Sequence, residues 1–328
     1  MRLPVLALAL APLSVALTNP RVLVYTRTLG YRHDSIPTAI ETLHTHGPAN
    51  NIEFEFTEDP MQFTDGTLSR FDGLLFVSTS EEVLDGTQQD ALARYLRSGG
   101  VYAGVHSASA CLYNDSVYLH AVGAYFDYHP SLQPATFLRV ATHPATDPVP
   151  DRWRFAEEVY YWRQDPRDQG AAVLLTVEEG SYVNDAGSSG NYTFRAPHPI
   201  AWCIENPTYG QEGRAGRSFY TSLGHTNETW TDETFIAHVF GGLKWALDGA
   251  TTRAYGAGLV GNNVTVATSS SASGMGGTGG AGGTAATTSE SVARSSSAAP
   301  VASPSSSAPS LGVARAAVAA AAGLLTIL

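Results

Sequence analysis

Cysteine is scarce: Cys111 and Cys203 are the only two in 328 residues, which permits a single disulfide and excludes a cysteine-rich scaffold. The pair stands either as that one bridge or as two buried thiols. Basic charge is also short, with 19 Lys and Arg against 30 Asp and Glu and a net charge of −11, so the field that nucleic acid requires is missing. Neutral, sugar-like partners fit this surface better. No H-x-x-x-H or H-E-x-x-H spacing occurs, so no motif supports a metal, and no cofactor is assigned. The body from Arg21 to Gly249 shows neither repeat nor internal linker and has the length of one α/β domain.

Both ends read as addresses. Met1-Arg2 followed by the apolar run Leu3 to Leu17 predicts a signal peptide over residues 1–18, and the folded domain is expected over 19–250. Residues 251–310 turn to Ser, Gly, Ala and Thr, a stalk composition that offers no core. Residues 311–328 form a short Ala-rich apolar tail, which behind a polar spacer matches a glycosylphosphatidylinositol anchor signal; a weak tail-anchoring helix is the alternative. The expected location is extracellular, held by lipid to the cell wall or outer membrane surface. Sequons at Asn114, Asn191, Asn227 and Asn263 fit that compartment.

Within the domain, Arg21 to Thr26 and Phe71 to Val77 are apolar runs of the kind buried on both faces of a parallel sheet, while Ile52 to Thr57 alternates as an edge strand does. Ser35 is placed as the cap of a helix running to His46, and Asp85 to Ser98 as a second helix. Later strands are expected at Thr136 to Thr142, Glu158 to Trp162, Ala172 to Val177, Pro199 to Glu205 and Arg217 to Leu223. Thr231 or Asp232 then caps a closing helix through Leu247. This order predicts an α/β protein, a doubly wound, mostly parallel, flavodoxin-like sheet with added β segments in its second half. Its ligand site falls at the carboxyl ends of the strands.

Gly99-Gly100-Val101-Tyr102-Ala103-Gly104-Val105-His106-Ser107-Ala108 reads as a strand-to-helix elbow that lifts one side chain clear of the sheet. That side chain is an imidazole, which moves protons, binds metal or holds a polar ligand, and which argues against an acyl-transfer triad. His33, His129, His143, Glu158, Tyr160 and His225 share the same loop-mouth placement. Taken singly, each loop histidine is more often solvated or bonded to backbone, Glu157 reads equally as a surface charge, and Tyr31, Tyr128, Tyr160, Tyr161 and Trp162 serve a core as readily as a sugar face.

The elbow resembles the G-G-G-x-x-G-x-H-S-A stretch of the ThuA-like (trehalose utilisation) family. Gly123 to Pro130 is similar to its glycine-aromatic-H-P segment, Glu157-Glu158-Val159-Tyr160 to its D-E-L-Y with Glu157 in place of Asp, and Gly213 to Thr226 to its G-K-G-R-V-F-Y-T-S-L-G-H-T. Ala124 replaces a family glycine, and the insertion Gln211 to Gly216 leaves either Arg214 or Arg217 at the family's arginine. The resemblance implies a class I glutamine amidotransferase-like fold with His106 at the nucleophile's place, so amidotransferase activity is not inherited, and it implies a link to disaccharide and keto-sugar metabolism.

The leading expectation is therefore a surface-anchored protein that acts on a small saccharide or glycoside by His/Glu acid-base chemistry, with His106, Glu158 and His225 catalytic. His33, His129 and Tyr160 bind substrate, the histidines doubling as proton carriers or metal ligands. A noncatalytic carbohydrate-binding domain and a metal-dependent hydrolase are the alternatives. Adjacent strand residues face opposite ways, so Glu157 and Glu158 are not expected to flank a glycosidic bond as paired carboxylates.

Overall fold

The computed structural model describes residues 19–186, 195–207 and 216–248, all within one compact unit. The signal, stalk, tail, Arg214 and the Asn191 and Asn263 sequons lie outside the described residues.

In chain order the elements are β1 (Arg21–Tyr25), α1 (Ile36–His46), β2 (Glu53–Thr57), α2 (Asp65–Leu68), β3 (Gly73–Val77), α3 (Gly86–Arg97) and β4 (Val101–Val105). Then follow α4 (Ser116–Val122), β5 (Phe126–Tyr128), β6 (Gln133–Arg139), β7 (Arg152–Glu157), β8 (Tyr161–Trp162), β9 (Ala172–Val177), β10 (Ala201–Ile204), β11 (Ser218–Thr221), α5 (Asn227–Thr231) and α6 (Glu233–Asp248). Nine strands make one sheet in the order β2-β1-β3-β4-β11-β10-β9-β6-β7. The half from β2 to β11 is parallel and the half from β11 to β7 antiparallel, so the doubly wound sheet and its added β segments meet at β11. β5 and β8 pair separately.

The apolar runs of β1, β3 and β4 are buried because helices cover both sides, and two cores result. One gathers α1 and α6 residues such as Leu43, Val239 and Leu243 with Phe219; the other gathers α3 and α4 residues such as Leu92 and Tyr118 with Tyr102 and Trp202. Cys203 belongs to the first and Cys111 to the second, and both are free buried thiols, so the single-disulfide alternative is excluded.

Asp85 caps α3 in a reciprocal box with Gln88, and Asp232 caps the last helix by accepting from the Phe235 N–H at 2.9 Å. Ser35 precedes α1 without capping it; its hydroxyl donates instead to the Gly224 carbonyl, tying α1 to the loop after β11. The expected strand Glu158 to Trp162 is not one element. The chain pairs with β6 as Arg152–Glu157, leaves the sheet through Glu158, Val159 and Tyr160, and forms only the two-residue β8.

Candidate functional site

β1, β4 and β11 deliver their following loops to one edge of the sheet, and the side chains meet there. Gly99, with φ of 106°, makes the turn into β4, and a Cβ on Gly100 would stand 2.1 Å from the Tyr95 ring, which explains the glycine pair. At the far end of β4 His106 takes φ of 58°, a left-handed backbone rare for a side chain of this size. Ser78 and Glu81 after β3, and Leu112 beyond the elbow, share that conformation, so backbone strain concentrates at this edge. Ser80 pins the β1 loop beside it: its hydroxyl donates to the Tyr31 carbonyl, and its carbonyl accepts from the Leu29 N–H.

His106 is fully buried. Its Nδ1 lies 2.8 Å from the Ser222 carbonyl, which can only accept, so Nδ1 carries a proton and Nε2 presents its lone pair to the site. Around that lone pair stand His33 Nε2 at 2.9 Å, the Tyr160 hydroxyl at 3.0 Å and His225 Nδ1 at 3.2 Å, with Glu158 Oε2 at 3.6 Å. Glu158 divides its oxygens, Oε2 facing His225 Nδ1 at 3.2 Å and Oε1 facing His129 Nε2 at 3.4 Å. The six residues expected to be catalytic or substrate-binding, His33, His106, His129, Glu158, Tyr160 and His225, therefore converge. His143 does not; it packs on Trp245 of α6, 4.8 Å between ring centroids.

Burial, and then the nearby imidazoles His33 and His225, hold His106 well below the ordinary histidine range. Burial is also the main reason that His33 is pushed down to about 4. His225 goes the other way: burial pulls it down, but the hydrogen bond and charge of Glu158 outweigh that and raise it. One carboxylate thus sits among imidazoles of opposite proton affinity.

Glu157 is not the surface charge its sequence context allows. It is fully buried, its Oε1 accepting from the N–H groups of Gly224 and His225 at 2.9 and 2.6 Å and its Oε2 from the Thr229 hydroxyl at 3.1 Å. Burial still lifts it to about 7. The sequence reading also passed over His198, whose Nε2 bonds the Tyr160 carbonyl at 2.8 Å while Nδ1 bonds Glu179 at 2.8 Å. His198-Pro199 repeats the His-Pro dipeptides at 129–130 and 143–144, and that is its one signal in the sequence. Of the aromatics, Trp162 and Tyr160 are core, whereas Tyr31 is 67% exposed and meets His33 edge-to-face, and Tyr128 stacks on Tyr161, both half-buried. Asn227 is exposed at the start of α5, two residues from His225.

Fold and site together define an α/β protein, its doubly wound parallel half extended by antiparallel strands, with a histidine at its elbow and a carboxylate enclosed by imidazoles. The chain belongs to the trehalose utilisation (ThuA) family, whose model matches residues 21–246. Among solved structures it is similar to a ThuA-like protein from Bacteroides uniformis, with a TM-score of 0.56 and 18% identity over 73% of this chain and 95% of that one. A ThuA-like protein from Parabacteroides merdae gives 0.52 and 14% over 71% and 91%. No curated protein sequence matches the chain.

Proposed function

We propose that this protein acts on a small saccharide or glycoside by proton transfer at Glu158. The observation that carries the reading is the split carboxylate. Oε2 lies on the buried side with His106 and His225, where the reacting oxygen of a substrate would be held, and Oε1 lies toward His129, whose side chain is 35% exposed. A proton taken by Glu158 from a sugar C–H or O–H has a relay to solvent through His129, and the same path returns it to a leaving oxygen. His33 and Tyr160 shape the pocket around the transferred proton, and Tyr31 offers an exposed ring for a sugar face. Membership of a family described by trehalose utilisation supports a disaccharide as the substrate class.

The test is to incubate the mature protein with trehalose, other disaccharides, glycosides and their keto derivatives, and to follow products by NMR. One class should turn over, and Glu158→Gln should lower kcat/KM by roughly 10²–10⁴-fold with the fold intact. If nothing in the panel binds or changes, or if Glu158→Gln equals the parent, the reading fails.

We infer further that the chain is exported and lipid-anchored, on the support of its apolar leader, stalk, tail and sequons. Among the described residues no helix is long and apolar enough to cross a membrane. Release of the protein from intact cells by phosphatidylinositol-specific phospholipase C is the expected result; retention in the cytosol would overturn this part.

A further inference from the structure

We propose that His33 Nε2, His106 Nε2, His225 Nδ1 and the Glu158 carboxylate form a binding site for one divalent first-row transition-metal ion. One ligand atom from each residue lies within 4.8 Å of all the others. The contacts among them are too many for protons alone to satisfy. The single lone pair of His106 Nε2 accepts one hydrogen bond in its plane, yet two imidazole nitrogens and a phenol crowd it at 2.9, 3.2 and 3.0 Å. A cation would resolve this by taking one lone pair from each residue, since the ligand atoms lie together.

The spacings agree with that chemistry. Ligands at right angles on an ion with bonds near 2.1 Å are about 3.0 Å apart, and tetrahedral ones are about 3.4 Å apart. The nitrogen pairs at 2.9 and 3.2 Å and the His225–Glu158 pair at 3.2 Å lie close to these values, the His106–Glu158 pair at 3.6 Å lies just beyond them, and the remaining pairs stay within 4.8 Å. Supports stand behind two of the ligands, His106 and His225. The Ser222 carbonyl fixes the His106 tautomer so that Nε2 faces inward, and Glu157 fixes the backbone of His225. Three imidazoles and one carboxylate favour zinc, iron, cobalt, nickel or manganese over the all-oxygen preference of calcium and magnesium.

The inference extends the proposed function, since an ion held there would polarise the sugar oxygen that Glu158 serves, leaving Oε1 and His129 free for proton transfer. The metal claim is nonetheless tested by itself. The mature protein is stripped with chelator and titrated with Zn²⁺, Mn²⁺ and Co²⁺ alone, by calorimetry and, for Co²⁺, by visible absorption; the protein as isolated is assayed by elemental analysis. One ion per chain is expected, with His33→Ala and His225→Gln each weakening affinity by at least about 100-fold and the surface change His44→Gln leaving it unaltered.

Circular dichroism separates a lost ligand from a lost fold, and His225→Gln, at a partly exposed position, supplies the second variant should His33→Ala fail to fold. Absence of a stoichiometric ion, or affinity unchanged in both ligand variants, would overturn the proposal. Saccharide turnover by a protein that takes up no ion in the titration sinks the metal site and keeps the sugar reading. Metal bound without any saccharide binding or turnover does the reverse.

Discussion

Glu157 and His225 are joined through the main chain: a carboxylate oxygen at the end of β7 accepts the His225 N–H at 2.6 Å across 68 residues of sequence. Removing that acceptor strands two N–H groups and the Thr229 hydroxyl around a buried hole. Glu157→Ala is therefore expected to destabilise the protein by about 2–5 kcal/mol. Glu157→Gln keeps an oxygen for the backbone pair and turns an amide toward a hydroxyl able to accept, so it should cost about 1 kcal/mol or less. Denaturant titration of both variants checks the order, and equal losses would contradict it.

Tyr160→Phe takes the hydroxyl from His106 Nε2 while leaving the ring packed between Phe126 and Trp162. Saccharide binding or turnover should fall about tenfold, the worth of one hydrogen bond, with the melting temperature nearly unchanged. An unaltered activity would remove Tyr160 from the site.

The two thiols should stay silent in the native state. Burial pushes both Cys111 and Cys203 up to about 12, and they lie in cores on separate sides of the sheet. A thiol reagent such as DTNB is expected to label neither until denaturant is added, and reductant should leave the melting temperature where it was. Prompt native labelling would contradict this burial.

Acid should weaken the fold through His238, which is fully buried on α6 with Nδ1 donating to the Ala145 carbonyl at 2.7 Å and is pushed down to about 4, chiefly by burial. The folded state keeps it neutral while the unfolded chain takes a proton below about 6.5. Stability is thus complete above that pH and is lost as the pH falls toward 4, by about 3 kcal/mol. His238→Asn retains a donor near the Nδ1 position and should flatten this part of the stability–pH curve. An unchanged slope between pH 6.5 and 4 would assign the acid loss elsewhere.

The frame of the parallel half was legible because its causes are local. β1, β3 and β4 are continuous apolar runs, α3 carries its own capping box, and the elbow is written in consecutive glycines. The convergence of His33, His106, His129, Glu158, Tyr160 and His225 was legible too, since each follows a strand or opens a loop on the same edge. What stayed hidden depends on distant partners. Glu157 looks like any acidic residue until the Gly224–His225 backbone arrives, and Tyr160 and Trp162 extend an apolar pattern that does not reveal where the chain quits the sheet. Nor does the sequence say which way an imidazole is protonated; a carbonyl at residue 222 decides that for His106.

β11, the last strand in the described chain, lies between β4 and β10, so the middle of the sheet is the last part of the sheet to be synthesised. Until Ser218–Thr221 leaves the ribosome, two interior strands present open hydrogen-bonding edges, and the imidazole that follows β11 has no place to dock. Chains that stop before Gly216 should therefore aggregate rather than accumulate as partial domains. A protein built this way closes its sheet and seats its site histidine with the same strand.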